Sequence, residues 1–296
     1  PQRTPKFRIK NSELKNGVYK LKTLSKVYMG LVLMFLYVPI FVLIVFSFNE
    51  TKSRSVFSGF TLDWYAKLFR NEVIISSLMN TIIIAVIASI AATLLGTLAA
   101  IGINSMRKVP KAIVMNITNM PIVNPEIVTG VSLMLLFVAY QRFADGVSWL
   151  PDTIIGFPTL LIAHIAFNVP YVIFNVSPKL KQLDIKLFEA ALDLGCDPRQ
   201  AFFKVILPEI SPAILSAFLI CLTYSIDDFM ISYFNCGTVE TLPIAIYSMT
   251  RKKVSPEIYA LSTIMFVVIL CIILISNAME SRNYRRDQKA LRGEGV

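Results

Sequence analysis

Apolar residues in this chain fall in long uncharged runs, without the strict alternation of a half-buried strand or the single stripe of a soluble helix. Residues 27–48 carry no charge, and about 20 apolar residues are enough to cross the hydrocarbon core as a helix. Residues 74–103 form a second, longer run. Residues 112–140 form a third, interrupted only by Glu126. Residues 153–177 form a fourth that contains Pro170 and His164, the one histidine. Residues 206–234 form a fifth, with Asp227 and Asp228 towards its far end, and 258–279 form a sixth. The pattern predicts an all-α membrane protein of six transmembrane helices. No internal repeat relates these runs, which weakens an inverted-repeat secondary transporter.

Composition supports this reading. The 296 residues are 55% hydrophobic and 16% charged, against about 25% charged in soluble domains. The mean hydropathy is +0.63. A net charge of +10 would suggest nucleic acid in a soluble protein, but here positive residues flanking spans account for it. Lys and Arg concentrate in the arm 1–26, the connection around Arg107, Lys108 and Lys111, the stretch from Lys179 to Lys204, and the tail 281–296. By the positive-inside rule these segments, and so both termini, are cytoplasmic. The basic arm precedes an apolar run with no small-x-small cleavage site after it, which reads as an uncleaved anchor. Cys196, Cys221, Cys236 and Cys271 show no paired spacing and are expected to be packing residues, with no metal site.

Two outer connections carry short amphipathic stretches, 60–69 (FTLDWYAKLF) and 241–249 (TLPIAIYSM). Each has two readings: a helix at the interface, with Trp64 and Tyr65 as belt aromatics, or a docking surface for an extracellular partner.

Glu126, Asp227 and Asp228 lie where charge is expensive, at least about 2.5 kcal/mol for a central acid, so they should face the bundle interior or water. Pro121 and Pro125 beside Glu126 predict a bent or broken helix. On one continuous helix Asp227 and Asp228 would point about 100° apart, one to a pathway and the other to a neighbouring helix. No basic residue is expected at matching depth, so the acids would line a route for a cationic solute. Tyr224, three residues before Asp227, would offer a ring to an ammonium group. His164 reads as a hydrogen-bonded packing residue, with no acid near it in sequence, which argues against a proton-driven pump.

The polar stretch 184–208, DIKLFEAALDLGCDPRQAFFKVILP, lies between the fourth and fifth runs. Asp184 would cap a helix through Leu194, with Phe188, Ala191 and Leu192 on one face. Gly195 would end it left-handed. Asp197, Pro198 and Gln200 would restart it with a capping box. A cytoplasmic knob of this kind implies a partner. The chain has no GxxxxGK[ST] phosphate loop and no nucleophile–base or HExxH constellation, so neither ATP hydrolysis nor another catalytic activity is expected of it.

Glu189-Ala190-Ala191, three residues, Gly195, then nine residues before Val205-Ile206-Leu207-Pro208 resembles the EAA loop of ABC importer permeases, with Val205 where that family usually has Ile. Further stretches resemble spermidine/putrescine permeases of the PotC type: YVPIFVLIVFSFN, GFTLDWY, NPEIVTGVSL, SIDDFMISYF, LPIAIYSM and VSPEIYALST. The basic arm is longer than expected of that family. The resemblance covers roughly residues 27–280 and implies a type I (MetI-like) ABC importer permease domain in a bacterial cell membrane. It further implies a homologous second permease, two copies of a cytoplasmic ATPase that bind ATP and magnesium, and an extracellular polyamine-binding protein. This chain would carry no cofactor. Glu189, Ala190, Ala191 and Gly195 would contact the ATPase, with Pro208 as the hinge into the fifth span. A self-sufficient secondary transporter, and the same architecture importing another small cation, remain the alternatives.

Overall fold

The computed structural model describes residues 11–53, 56–144, 155–252, 256–271 and 274. The described residues are helical apart from turns and one isolated antiparallel bridge, Asn49 to Phe60. Residues 1–10, the far end of the sixth run and the tail 281–296 lie outside them. The chain divides into two compact units, residues 70–253 and residues 1–69 with 254–296.

In the terminal unit, α1 (Asn11–Phe46) begins well before the expected span, so residues 11–26 of the basic arm form one helix with the apolar segment Ser25–Phe46. The chain then doubles back: Glu50 N–H donates to Gly59 O at 3.0 Å and Thr61 N–H to Phe48 O at 2.8 Å. This delivers α2 (Asp63–Arg70) against the end of α1. Trp64 is buried and its Nε1 donates to Asn49 O at 2.7 Å, while the Tyr65 hydroxyl shares a 2.7 Å hydrogen bond with Ser47 Oγ. These two aromatics anchor the doubled-back loop, because each polar handle has a protein partner. The same unit contains a shorter apolar helix, Pro256–Cys271, at the start of the sixth run.

In the central unit, α3 (Glu72–Asn104) is long and apolar. Its buried positions include Thr81, Ala85, Ala88, Ala92, Gly96 and Ala100, small residues at helical spacing. Such a stripe lets helix backbones approach closely where lipid offers no hydrophobic drive to associate. The stripe meets α6 (Phe157–Gln182), which runs unbroken through Pro170 and Pro178. A β-carbon on Gly96 would stand 2.5 Å from Val172 Cβ, so only glycine fits this crossing. A core of Ala100, Ile103, Val172, Val176, Ile210 and Ala217 joins α3 and α6 to α9 (Leu207–Asp227).

The third and fifth runs are not single helices. The third divides into α4 (Lys108–Val123) and α5 (Glu126–Ala144). Asn124 is extended, with φ −72° and ψ 144°, as expected of a residue before proline, and Pro125 has no N–H to continue the ladder. The fifth ends at Asp227. Asp228 is also extended, with φ −63° and ψ 121°, and a six-residue helix, α10 (Met230–Asn235), follows. The expectation that Asp227 and Asp228 share one continuous helix is therefore wrong.

By length and composition five helices can cross a membrane: Ser25–Phe46, Glu72–Asn104, Glu126–Ala144, Phe157–Gln182 and Pro198–Asp227. Past α10 the chain forms α11 (Leu242–Lys252). It is pinned to the start of α3, where Leu242 N–H donates to Thr81 Oγ1 at 2.8 Å and Asn80 Nδ2 to Glu240 O at 3.1 Å.

Candidate functional site

The two helix breaks lie together. Glu126 opens α5 and Asp227 closes α9, and Glu126 is within Coulombic range of both Asp227 and Asp228. Three elements hold this arrangement. Gly130 of α5 lets α10 approach, since a β-carbon there would lie 3.2 Å from Met230 O. Asn235 Nδ2 donates across to Gly130 O at 3.1 Å and back to Ile231 O at 2.9 Å. Ile231 packs with Phe137, Ala163 and Phe167, which joins α5, α6 and α10.

The adjacent acids have different surroundings. Asp227 is exposed on this chain, as are Glu126 and Tyr224. Asp228 is buried, at 7% exposure, and acts as an internal cap: Oδ2 accepts from Ser232 N–H at 2.7 Å and Oδ1 from Ile231 N–H at 3.2 Å. Tyr224 meets Tyr171 edge-on at 4.7 Å between ring centroids, and Phe167 meets Tyr171 at 5.2 Å. The three open groups, Glu126, Asp227 and Tyr224, present negative charge and a ring face from neighbouring elements. That chemistry suits an ammonium group.

His164 is a buried, hydrogen-bonded packing residue, as expected, but an acid lies beside it. The sequence reading put no acid beside it, yet its Nε2 lies 3.7 Å from Asp228 Oδ2 and 3.0 Å from Ser232 Oγ in a hydrogen bond. It belongs to a seam that sequence reasoning missed. Thr159 Oγ1 donates to Asn235 O at 3.0 Å, and Asn168 Nδ2 donates to Ser225 Oγ at 2.7 Å. The available signal was His164 and Asn168, four residues apart and so on one helix face, in an otherwise apolar run.

At the other end of α6, Lys179 pairs with Glu209 at 2.8 Å, and the polar connection follows. Asp184 caps α7 (Ile185–Asp193) by accepting from Lys186 N–H at 3.0 Å. Gly195 ends it with φ 85°. Cys196 N–H reaches back to Ala191 O at 3.1 Å and Gly195 N–H to Leu192 O at 2.8 Å, the paired bonds of a Schellman stop. Asp197 starts the next helix, α8 (Pro198–Ala201), only through its carbonyl, which accepts from Ala201 N–H at 2.9 Å. Its side chain makes no cap bond, so the expected capping box is not formed. Glu189, Ala190 and Gly195 are exposed, whereas Ala191 is buried against the rest of the chain. Leu187, Leu194 and Phe203 expose apolar surface around the knob.

Between α8 and α9 the helix widens into a π turn, Phe202–Ile206, where Leu207 N–H bonds to Phe202 O. Pro208 explains the widening, since its ring crowds the carbonyl four residues back and it donates no N–H. Pro208 therefore lies at a local deformation within one long helical element. Among the described residues no group of three or more His, Cys, Asp or Glu side chains could hold a metal ion.

Comparison with known proteins agrees with this architecture. Residues 92–286 match the model of the family described as "Binding-protein-dependent transport system inner membrane component". The chain is 37% identical over 267 residues to the putrescine transport system permease protein PotI of Escherichia coli, covering 88% of this chain and 92% of that protein. It is 35% identical over 261 residues to the spermidine/putrescine transport system permease protein PotC of Haemophilus influenzae, covering 88% and 97%. Its fold is shared with a chain of a bacterial ABC transporter involved in the import of the acidic polysaccharide alginate, with a TM-score of 0.70 at 17% identity and coverage of 91% and 99%. A second structure of an alginate transporter, in complex with a periplasmic protein carrying an alginate pentasaccharide, matches at a TM-score of 0.71 and 18% identity. A helical bundle with two adjoining breaks, and sequence identity of this extent along most of the chain, lead to one family: the protein belongs to the inner membrane components of binding-protein-dependent transport systems.

Proposed function

We propose that this chain is a permease subunit of an ATP-driven importer of polyamines, forming half of a translocation pathway in a bacterial inner membrane. The observation that carries the substrate class is the open group of Glu126, Asp227 and Tyr224 at the paired helix breaks. Two carboxylates beside a ring match the ammonium groups of a putrescine or spermidine chain. The names of the two relatives point the same way.

The exposed knob of Glu189, Ala190 and Gly195, flanked by exposed Leu187 and Leu194, is the contact with an ATPase on the cytoplasmic side. Two ATPase copies bind ATP and magnesium, a homologous permease supplies the other half of the pathway, and an extracellular binding protein delivers the solute. In this arrangement both termini are cytoplasmic, and the chain carries no cofactor and performs no catalysis. The six-span count takes Pro256–Cys271 as the start of the sixth crossing. ATPase closure pushes the knob, and the continuous element Pro198–Asp227 carries that motion to the acids as rigid-body rocking.

The test is to co-express the chain with its chromosomal neighbours, purify the complex and measure ATPase activity with putrescine and spermidine. Stimulation by either supports the reading. Stimulation only by another small cation, which the acids alone would also suit, replaces the substrate. Uptake without ATPase chains would instead make the protein a secondary transporter.

A further inference from the structure

The polar seam of α6 crosses the break that follows Asp227. Thr159 holds the end of α10, Asn168 holds Ser225 near the end of α9, and His164 stands between them. His164 is only 2% exposed. Its Nε2 bonds to Ser232 Oγ, and Ser232 in turn interacts with the Asp228 carboxylate through both its backbone N–H and its hydroxyl. Asp228 thus has both oxygens committed to α10, and the side chains of Ser232 and His164 stand beside it.

A helix of six residues has little stability of its own, so α10 depends on its cap and its packing. A cap is secure only while its carboxylate cannot swing towards a passing cation. His164 closes that option, because it fills the space beside Oδ2 and ties Ser232 in place.

We propose that His164 is a positioning residue for transport. Through Ser232 it keeps Asp228 as the cap of α10, fixes the geometry of the break, and so aims Asp227 into the pathway without itself touching solute. The proposal rests on the reading of Asp227 as a solute contact. It makes the two adjacent acids unequal: one is a ligand, and the other is part of the frame that aims it.

The experiment uses the assembled importer in proteoliposomes, with putrescine and spermidine as probes. His164→Ala and Ser232→Ala should each raise KM for uptake by about tenfold, the scale of one lost buried hydrogen bond, while the maximal rate stays within about twofold. His164→Gln, which keeps a donor towards Ser232, should return KM to within about threefold of the parent. Geometry is read directly from Asp227→Cys in a background whose four native cysteines are replaced. Its rate of modification by a small cationic thiol reagent should change by about fivefold or more when His164→Ala is added. Unchanged KM together with unchanged labelling overturns the positioning role. So does a loss of maximal rate that merely tracks a smaller amount of assembled complex. Normal uptake by Asp227→Asn would overturn the solute-contact reading instead, and the labelling rates keep the two failures apart.

Discussion

Asp227 and Asp228 are chemically identical neighbours, and their surroundings separate them. Asp227 ends α9 with an exposed side chain, whereas Asp228 is buried and receives two backbone N–H groups. Amide substitution should therefore act differently at the two positions. Asp227→Asn removes charge where an ammonium would sit and should lower uptake by about tenfold or more, since charge-assisted contacts are roughly twice as strong as neutral ones. The melting temperature of the purified complex should not move. Asp228→Asn keeps one acceptor oxygen but sets its NH2, which only donates, against the second buried N–H of α10, at a cost of about 1–3 kcal/mol. It should lower that melting temperature. Equal thermal effects would contradict the division of roles. The acids were visible in the sequence as costly charges in apolar runs, but their division was not. His164 and Asp228 are far apart along the chain, and only the packing of α6 against α10 brings them within 3.7 Å.

At the scale of elements, legibility followed from how local the cause was. The long run of α3 and the stop at Gly195 were readable, because span length and a left-handed C-terminus depend on nearby residues. The break before Glu126 was readable from Pro125 for the same reason. The break after Asp227 was not, since no proline or glycine marks it. There Asp228 leaves the helical conformation and its carboxylate caps α10 beside His164 of α6. The small-residue stripe of α3 yields a prediction. Gly96→Ala forces Val172 to move from a contact that would be 2.5 Å. Overpacking of this kind costs about 1–3 kcal/mol, so the variant should give less intact complex by size-exclusion chromatography after mild heating. Gly102→Ala is the control, because nothing lies within 4 Å of its added carbon.

Across the whole molecule, one helical element, Pro198–Asp227, starts just after the Gly195 stop of the knob and ends at Asp227, with the π turn near its start. That continuity gives the coupling proposal its mechanical content. Gly195→Asp places a side chain on a residue with φ 85° and adds charge to an exposed tip with nothing within 4 Å. It should abolish ATP-driven uptake while membrane insertion, followed by fractionation and immunoblot, stays normal. Normal uptake by this variant would remove the tip from the ATPase contact.

The covalent chain alone determined the helical membrane class, the apolar runs that supply five helices long enough to cross a membrane, the Asp184-capped knob and the positions of the acids, because each is written in local length, charge or turn chemistry. Tertiary structure decided the rest. It turned Ala191 inward, gave Trp64 and Tyr65 partners in their own loop, set the two helix breaks side by side, and made Asp228 a cap under His164. Ala191 simply follows the apolar packing of its helix, whereas the other three share one reason. A buried polar group takes whichever partner the packing of distant segments supplies, and spacing along the sequence carries no record of that choice.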